Sequence, residues 1–118
     1  MGKVLSGMMA GMDLPWLVVT TVGRADDARR LARTLVDRRL AACAQIAAID
    51  SIYRWQGAVH EDAEYRLLFK TAADRVQPLL DALRELHPYE LPALHAWPAA
   101  AADPAYAGWV VDSTRAEG

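Results

Sequence analysis

The feature that most limits how this chain can fold is the placement of two amphipathic helical stripes. Ala28, Leu31, Ala32, Leu35 and Val36 recur at the spacing of one helix face, and Val76, Leu79, Leu80, Leu83 and Leu86 do so again. Between them lies a long stretch with strand character and no helical period. Before the first stripe, residues 16–22 form a short, β-branched apolar run that reads as a central strand closed by Gly23. After the second, residues 94–97 form a short strand between Pro92 and Pro98. The middle stretch divides at Trp55-Gln56-Gly57, a turn signal. Residues 41–54 lead into it, and 64–71 leave it with Tyr65, Leu67 and Phe69 on one face.

The resulting order is β-α-β-β-α-β plus a short C-terminal helix. This predicts an α+β, ferredoxin-like fold with an antiparallel sheet. Asp26 and Asp27 in the first helix's opening turn, and Arg38 and Arg39 in its last, suit the helix dipole. Asp74 is the expected N-cap of the second helix. Asp103-Pro104 is the N-cap and N1 pair of the last helix, whose inner face should hold Tyr106, Trp109 and Val110. We expect one domain over residues 15–114, a lead over 1–14 and a frayed tail over 115–118. The two strands of the hairpin are long, and long strands need their edges covered. A partner subunit could supply that cover.

Composition narrows the function classes. Of 118 residues, 53% are hydrophobic, enough for a core. Thirteen Lys and Arg against fifteen Asp and Glu give a net charge of −2, which argues against a nucleic-acid partner. The cluster of Arg29, Arg30, Arg33, Arg38 and Arg39 is interleaved with Asp and reads as a solvated helix face. The single Cys43 excludes an intramolecular disulfide and suits a reducing, cytoplasmic setting. No apolar run approaches the ~20 residues of a membrane span. P-loop, dinucleotide-fold, serine-hydrolase and zincin signatures are missing, and no catalytic motif is found.

Several short strings, taken in order, carry a resemblance. They are Leu40-Ala41-Ala42-Cys43; Ser51-Ile52-Tyr53-Arg54-Trp55-Gln56-Gly57; Glu61, Asp62 and Glu64 ahead of Lys70-Thr71; His87-Pro88-Tyr89-Glu90-Leu91-Pro92; and Tyr106 with Trp109. Over about residues 16–111 the chain resembles the CutA divalent-cation tolerance family. The resemblance implies a ferredoxin-like fold, a cytoplasmic homotrimer built through the long hairpin, and a role in tolerance of copper and other divalent metals. It implies no organic cofactor and no enzymatic step. The family is similar in architecture to the PII signalling proteins, so a small-ligand sensor or protein scaffold is the alternative. Some members carry a second His before the one at His87, and a Cys near the end of the first strand. Here those positions hold Leu86 and Thr20, which removes two ligands.

The metal-facing candidates are His87, Cys43, Glu61 and Asp62. An imidazole after a helix end should be exposed enough to ligate, and a thiolate is a soft donor suited to copper. The structural alternatives are a helix C-cap for His87 and a small apolar packing role for Cys43. His60 beside Glu61 and Asp62 reads as solvated, and His95 as buried or half-buried. Tyr53, Trp55, Lys70, Tyr89, Glu90 and Trp109 are candidates for a pocket between subunits, aromatic-walled and able to take a small anion at Lys70. A Cys43 nucleophile with His87 as base is the enzymatic alternative, and it needs the two side chains within hydrogen-bond reach.

Overall fold

The computed structural model describes residues 14–115. Apart from Leu14 and Arg115, the expected lead and tail lie outside the described residues. In chain order the elements are β1 (Trp16–Val22), α1 (Ala25–Asp37), β2 (Cys43–Trp55), β3 (Ala58–Thr71), a 3₁₀ turn (Ala73–Arg75), α2 (Val76–Leu86), β4 (His95–Pro98) and α3 (Pro104–Ser113). The four strands form one antiparallel sheet in the order β2-β3-β1-β4. The fold is therefore α+β, with three helices on a four-stranded sheet.

Alternation along the strands sorts side chains between two faces. Val18 lies opposite Phe69, and Thr20 opposite Leu67, so all four point the same way. All four are fully buried, as is Val22. The two sequence stripes meet them there: Ala28, Leu31 and Leu35 of α1, with Leu79 and Leu83 of α2, complete the core. The opposite face carries Leu17, Val19, Cys43, Gln45, Leu68 and Lys70. Among the described residues α3 covers it at one corner, where Ala107 and Val110 are buried.

Local chemistry sets the element ends. Asp103 Oδ2 accepts from the Tyr106 amide at 3.0 Å, with Pro104 at the first helical position, as expected. Two ends and one helix face differ from the sequence reading. α1 stops at Asp37, before the two arginines, because Arg39 takes a left-handed φ of 60°. Asp74 falls inside the 3₁₀ turn, and Arg75 holds the N-cap position of α2. The buried stripe of α3 is Ala107 and Val110; Tyr106 and Trp109 are exposed, Trp109 by 47%.

The hairpin is longer than the 64–71 segment suggested. β3 begins at Ala58, directly after a two-residue turn in which Gln56 (φ 49°) and Gly57 (φ 80°) both have positive φ. This is the geometry that matches strand twist in tight hairpins. The last β1 rung is Val22 opposite Tyr65; beyond it β2 and β3 continue alone from the Ile49–Glu64 pair to the Trp55–Ala58 pair. This two-stranded arm gives the molecule a long axis of 57 Å against 30 and 21 Å, and a radius of gyration of 16.0 Å. A compact chain of this length would have roughly 13 Å.

Candidate functional site

The sequence-derived candidates fall into three separate places. The first is the root of the arm, where α2 ends. The His87 amide closes the last turn on the Leu83 carbonyl at 2.9 Å, and Pro88 prevents continuation. The ring then turns onto β1 instead of capping its own helix. Nε2 lies 3.0 Å from the Thr21 carbonyl and 2.9 Å from Thr20 Oγ1, while Nδ1 accepts from the Tyr89 amide at 3.0 Å. Because Nδ1 accepts, Nε2 carries the hydrogen and the imidazole is neutral. Only 9% of His87 is exposed, and burial holds its pKa below the ordinary histidine value. The Thr21 hydrogen bond, Asp27 and Glu64 pull the other way.

The exposed, ligating imidazole expected from sequence is thus a buried one with both nitrogens occupied. A metal would have to displace one of these contacts, and we assign His87 to the structure of the arm root. Thr20 supplies a hydroxyl to the same ring.

Tyr89 continues from this turn. Its ring sits 5.0 Å from His87, and its hydroxyl donates to Glu64 Oε2 at 2.7 Å. The path crosses the end of β1, where Gly23 has no side chain. A Cβ there would meet Tyr89 Oη at 3.2 Å, a close contact. Burial, then the Glu64 carboxylate, pushes the Tyr89 phenol well above its usual pKa. Glu90 follows, exposed.

The second place is the arm itself. Tyr53, Trp55, His60, Asp62 and Glu64 share one face. Tyr53 donates to Asp62 Oδ2, which raises the phenol pKa, and its ring stacks on His60 at 5.6 Å. His60 Nε2 lies 3.2 Å from the Trp55 carbonyl, in a strand and not in a loop. Glu61 is on the other face, opposite Ile52. Neighbours on a strand point apart, so Glu61 and Asp62 of one chain cannot close on the same ion.

The third place is the corner under α3. Lys70 Nζ donates to Gln45 Oε1 at 2.6 Å, Gln45 Nε2 reaches Cys43 Sγ at 3.7 Å, and Tyr106 Oη lies 3.8 Å from the same sulfur. Tyr106 stacks on Trp109 at 5.7 Å. Burial, then the neighbouring thiol, pushes the Tyr106 phenol up to about 12. Cys43 is half-buried, less enclosed than its alanine neighbourhood suggested. Gln45 and Tyr106 were not singled out as site residues. Gln45 was within reach of sequence reasoning, since it shares strand parity with Cys43; the contact of Tyr106 depends on where α3 docks.

Cys43 and His87 lie on opposite faces of the sheet. The first shares the side of Leu17, the second bonds Thr20, so no nucleophile–base pair forms within one chain. Among the described residues no three His, Cys, Asp or Glu side chains gather around a point. The six pocket candidates are likewise dispersed: Lys70 and Trp109 at the corner, Tyr89 and Glu90 at the root, Tyr53 and Trp55 along the arm. His95 is exposed and stacks on Trp97 at 5.5 Å on the uncovered face of the short edge strand. A depression of about 210 Å³ between the start of β1 and α3, bridged by the Arg115–Asp74 pair at 3.1 Å, touches none of these candidates.

Comparison with known proteins points in one direction. Residues 16–113 match the family model of the CutA1 divalent ion tolerance protein. A divalent-cation tolerance protein CutA of Thermus thermophilus is 41% identical over 99 residues, which is 83% of this chain and 96% of that one. Protein CutA of Mus musculus is 40% identical over 84 residues, 70% of this chain but only 48% of the longer mouse protein. Among solved structures, CutA from Synechococcus elongatus superposes with a TM-score of 0.84 at 36% identity, covering 87% of this chain and 92% of that one. The chain belongs to the CutA1 divalent ion tolerance protein family.

Proposed function

We propose that this protein serves divalent-cation tolerance as a cytoplasmic homotrimer of ferredoxin-like subunits, joined through their hairpin arms, without catalysing a reaction. The observation that carries this reading is the arm. It extends seven rungs past the last β1 pair with neither face covered by the described residues, and Ile52 and Val59 are 69% and 63% exposed. An isolated two-stranded ribbon is marginal in water, and bare strand edges invite pairing. A second and third copy supply the missing cover, the copy number being the one the family resemblance implies.

The same geometry favours metal contact between copies over contact within one. Cys43 and Asp62 remain the accessible donors, one soft and one hard, and they are far apart in a single chain. Glu61 faces away from both. Copper or another divalent cation would therefore be held by donors from more than one subunit. No organic cofactor is part of this reading. A free thiol suits a reducing compartment.

Light scattering on the tag-free protein should give about three times the 13.0 kDa chain mass. Calorimetric titration with Cu²⁺ and Zn²⁺ should saturate at a simple ratio per trimer, and that binding should disappear in Cys43→Ser or Asp62→Asn. A monomer at micromolar concentration overturns the assembly. Featureless heats in every variant overturn direct metal binding and make the tolerance role indirect.

The corner under α3 favours a second reading, a PII-like sensor of a small anion. Lys70 is pre-positioned there by Gln45, whose amide also reaches Cys43 next to the Tyr106 hydroxyl. Inorganic phosphate should then raise the melting temperature of the wild type and not of Lys70→Ala. Equal shifts in both would remove this reading.

A further inference from the structure

We propose that His87 is an acid-sensitive latch, in which protonation at Nδ1 breaks the hydrogen bond from the Tyr89 amide and releases Tyr89 from the root of the arm. The argument begins with the donor and acceptor count. Neutral His87 offers one acceptor, Nδ1, and the Tyr89 N–H uses it at 3.0 Å. It offers one donor, Nε2–H, which faces the Thr21 carbonyl and the Thr20 hydroxyl. An imidazolium donates from both nitrogens and accepts at neither. Protonation would set the new Nδ1–H against the Tyr89 N–H, two donors with no acceptor between them. The β1 side tolerates either form, because Thr21 offers a carbonyl in both. The turn over residues 87–89 does not.

That turn holds more than a loop. Tyr89 runs from it across the bare backbone of Gly23 to Glu64, the first residue of β3 beyond the last β1 rung. His87, Tyr89 and Glu64 thus tie the end of α2 to the base of the arm through consecutive contacts. When the amide leaves Nδ1, the turn must rotate, and the phenol cannot keep its place over Gly23.

The charged groups around His87 come from each packed element. Asp27 and Arg30 face it from α1, Glu64 from β3, and the Tyr89 phenol from its own turn. Asp27 and Glu64 favour the imidazolium; Arg30 and burial oppose it. Burial is the largest of these influences, and the folded pKa lies below 6.5. The sign follows. A group with a depressed folded pKa binds its proton more readily in the unfolded chain, so stability rises with pH between the two values. The latch is fully closed above about pH 6.5, the ordinary histidine value, and opens as pH falls through the folded value.

The test is residue-resolved NMR on the intact protein, titrated downward from about pH 7.5, above the ordinary histidine value, to the lowest pH at which it stays folded. The His87 ring proton reports protonation, and the Tyr89 amide protection factor, corrected for intrinsic exchange, reports the latch. Protection should fall about fivefold or more with the His87 titration, the size expected for losing one hydrogen bond. His87→Asn, which keeps an acceptor near the Nδ1 position and does not titrate, should hold protection within about twofold over the same range. The proposal is overturned if His87 stays neutral to the lower limit, or if it titrates while Tyr89 protection stays level. It is also overturned if His87→Asn loses protection as the wild type does, which would assign the change to a group other than His87.

Discussion

The body and the arm of this protein are built from the same two strands yet are held by different physics. Within the body, β2 and β3 lie against β1, and their inward residues meet two helices; Leu67 and Phe69 have no exposed surface. Past Tyr65, among the described residues, the same strands pair only with each other, with the Tyr89 hydroxyl reaching Glu64 at their base. Ladder bonds add only a little net stability in water, where the open strand would bond to solvent. Burial of apolar area is what decides, and the arm has almost none of its own. Stability in the body is therefore intramolecular, while the arm depends on whatever cover the proposed assembly supplies.

The largest effect lies on the body side. Phe69→Ala removes a fully buried ring facing Val18 and the helix layer. Such truncations typically cost about 3–5 kcal/mol, a large part of a small domain's total. Chemical denaturation should show a midpoint loss of that order. A cost near that of a surface substitution would mean that the helices do not close the core as described.

Both regions were legible in the sequence to different depths. The helical stripes could be read because each repeats over several turns, and Tyr65, Leu67 and Phe69 because alternation separates faces without ambiguity. The arm's length could not, because residues 58–63 (Ala-Val-His-Glu-Asp-Ala) mix polar and apolar side chains on both faces, and alternation carries no signal where neither side is buried. The same limit misled the site. An imidazole after a helix end suggests exposure, and only the packing of α2 on β1 shows it enclosed by Thr20, Thr21 and Tyr89. Cys43 and Lys70 were named separately, and their meeting depends on a cross-strand register that sequence spacing does not set.

A change on the arm tests what covers it. Ile52→Asp alters a residue that touches little within its own chain, and surface substitutions of that kind fall within about 0.5 kcal/mol. If partner copies bury Ile52, the charge instead enters an apolar interface, where leaving it unpaired is costly. The scattering mass should drop toward one chain at micromolar concentration, with the helix and sheet content of the body retained. An unchanged mass would break the comparison, because the exposed face would then have no partner to lose.

The smallest change addresses whether the arm melts with the body or apart from it. Gly57 has a φ of 80°, and a Cβ added there meets nothing within 4 Å. Alanine at this position therefore costs only the left-handed backbone penalty, about 1–2 kcal/mol. In a free ribbon that penalty would fray the tip and leave the unfolding of the body untouched, since the two would open independently. In an arm held by other copies, opening the tip means giving up the interface, and the same penalty enters the global transition. We expect the denaturation midpoint of Gly57→Ala to shift by the full amount, with tip amides exchanging no faster than the global process allows. A midpoint equal to the wild type, with fast exchange confined to residues 52–61, would show the arm to be autonomous and would take away the main support for assembly through it.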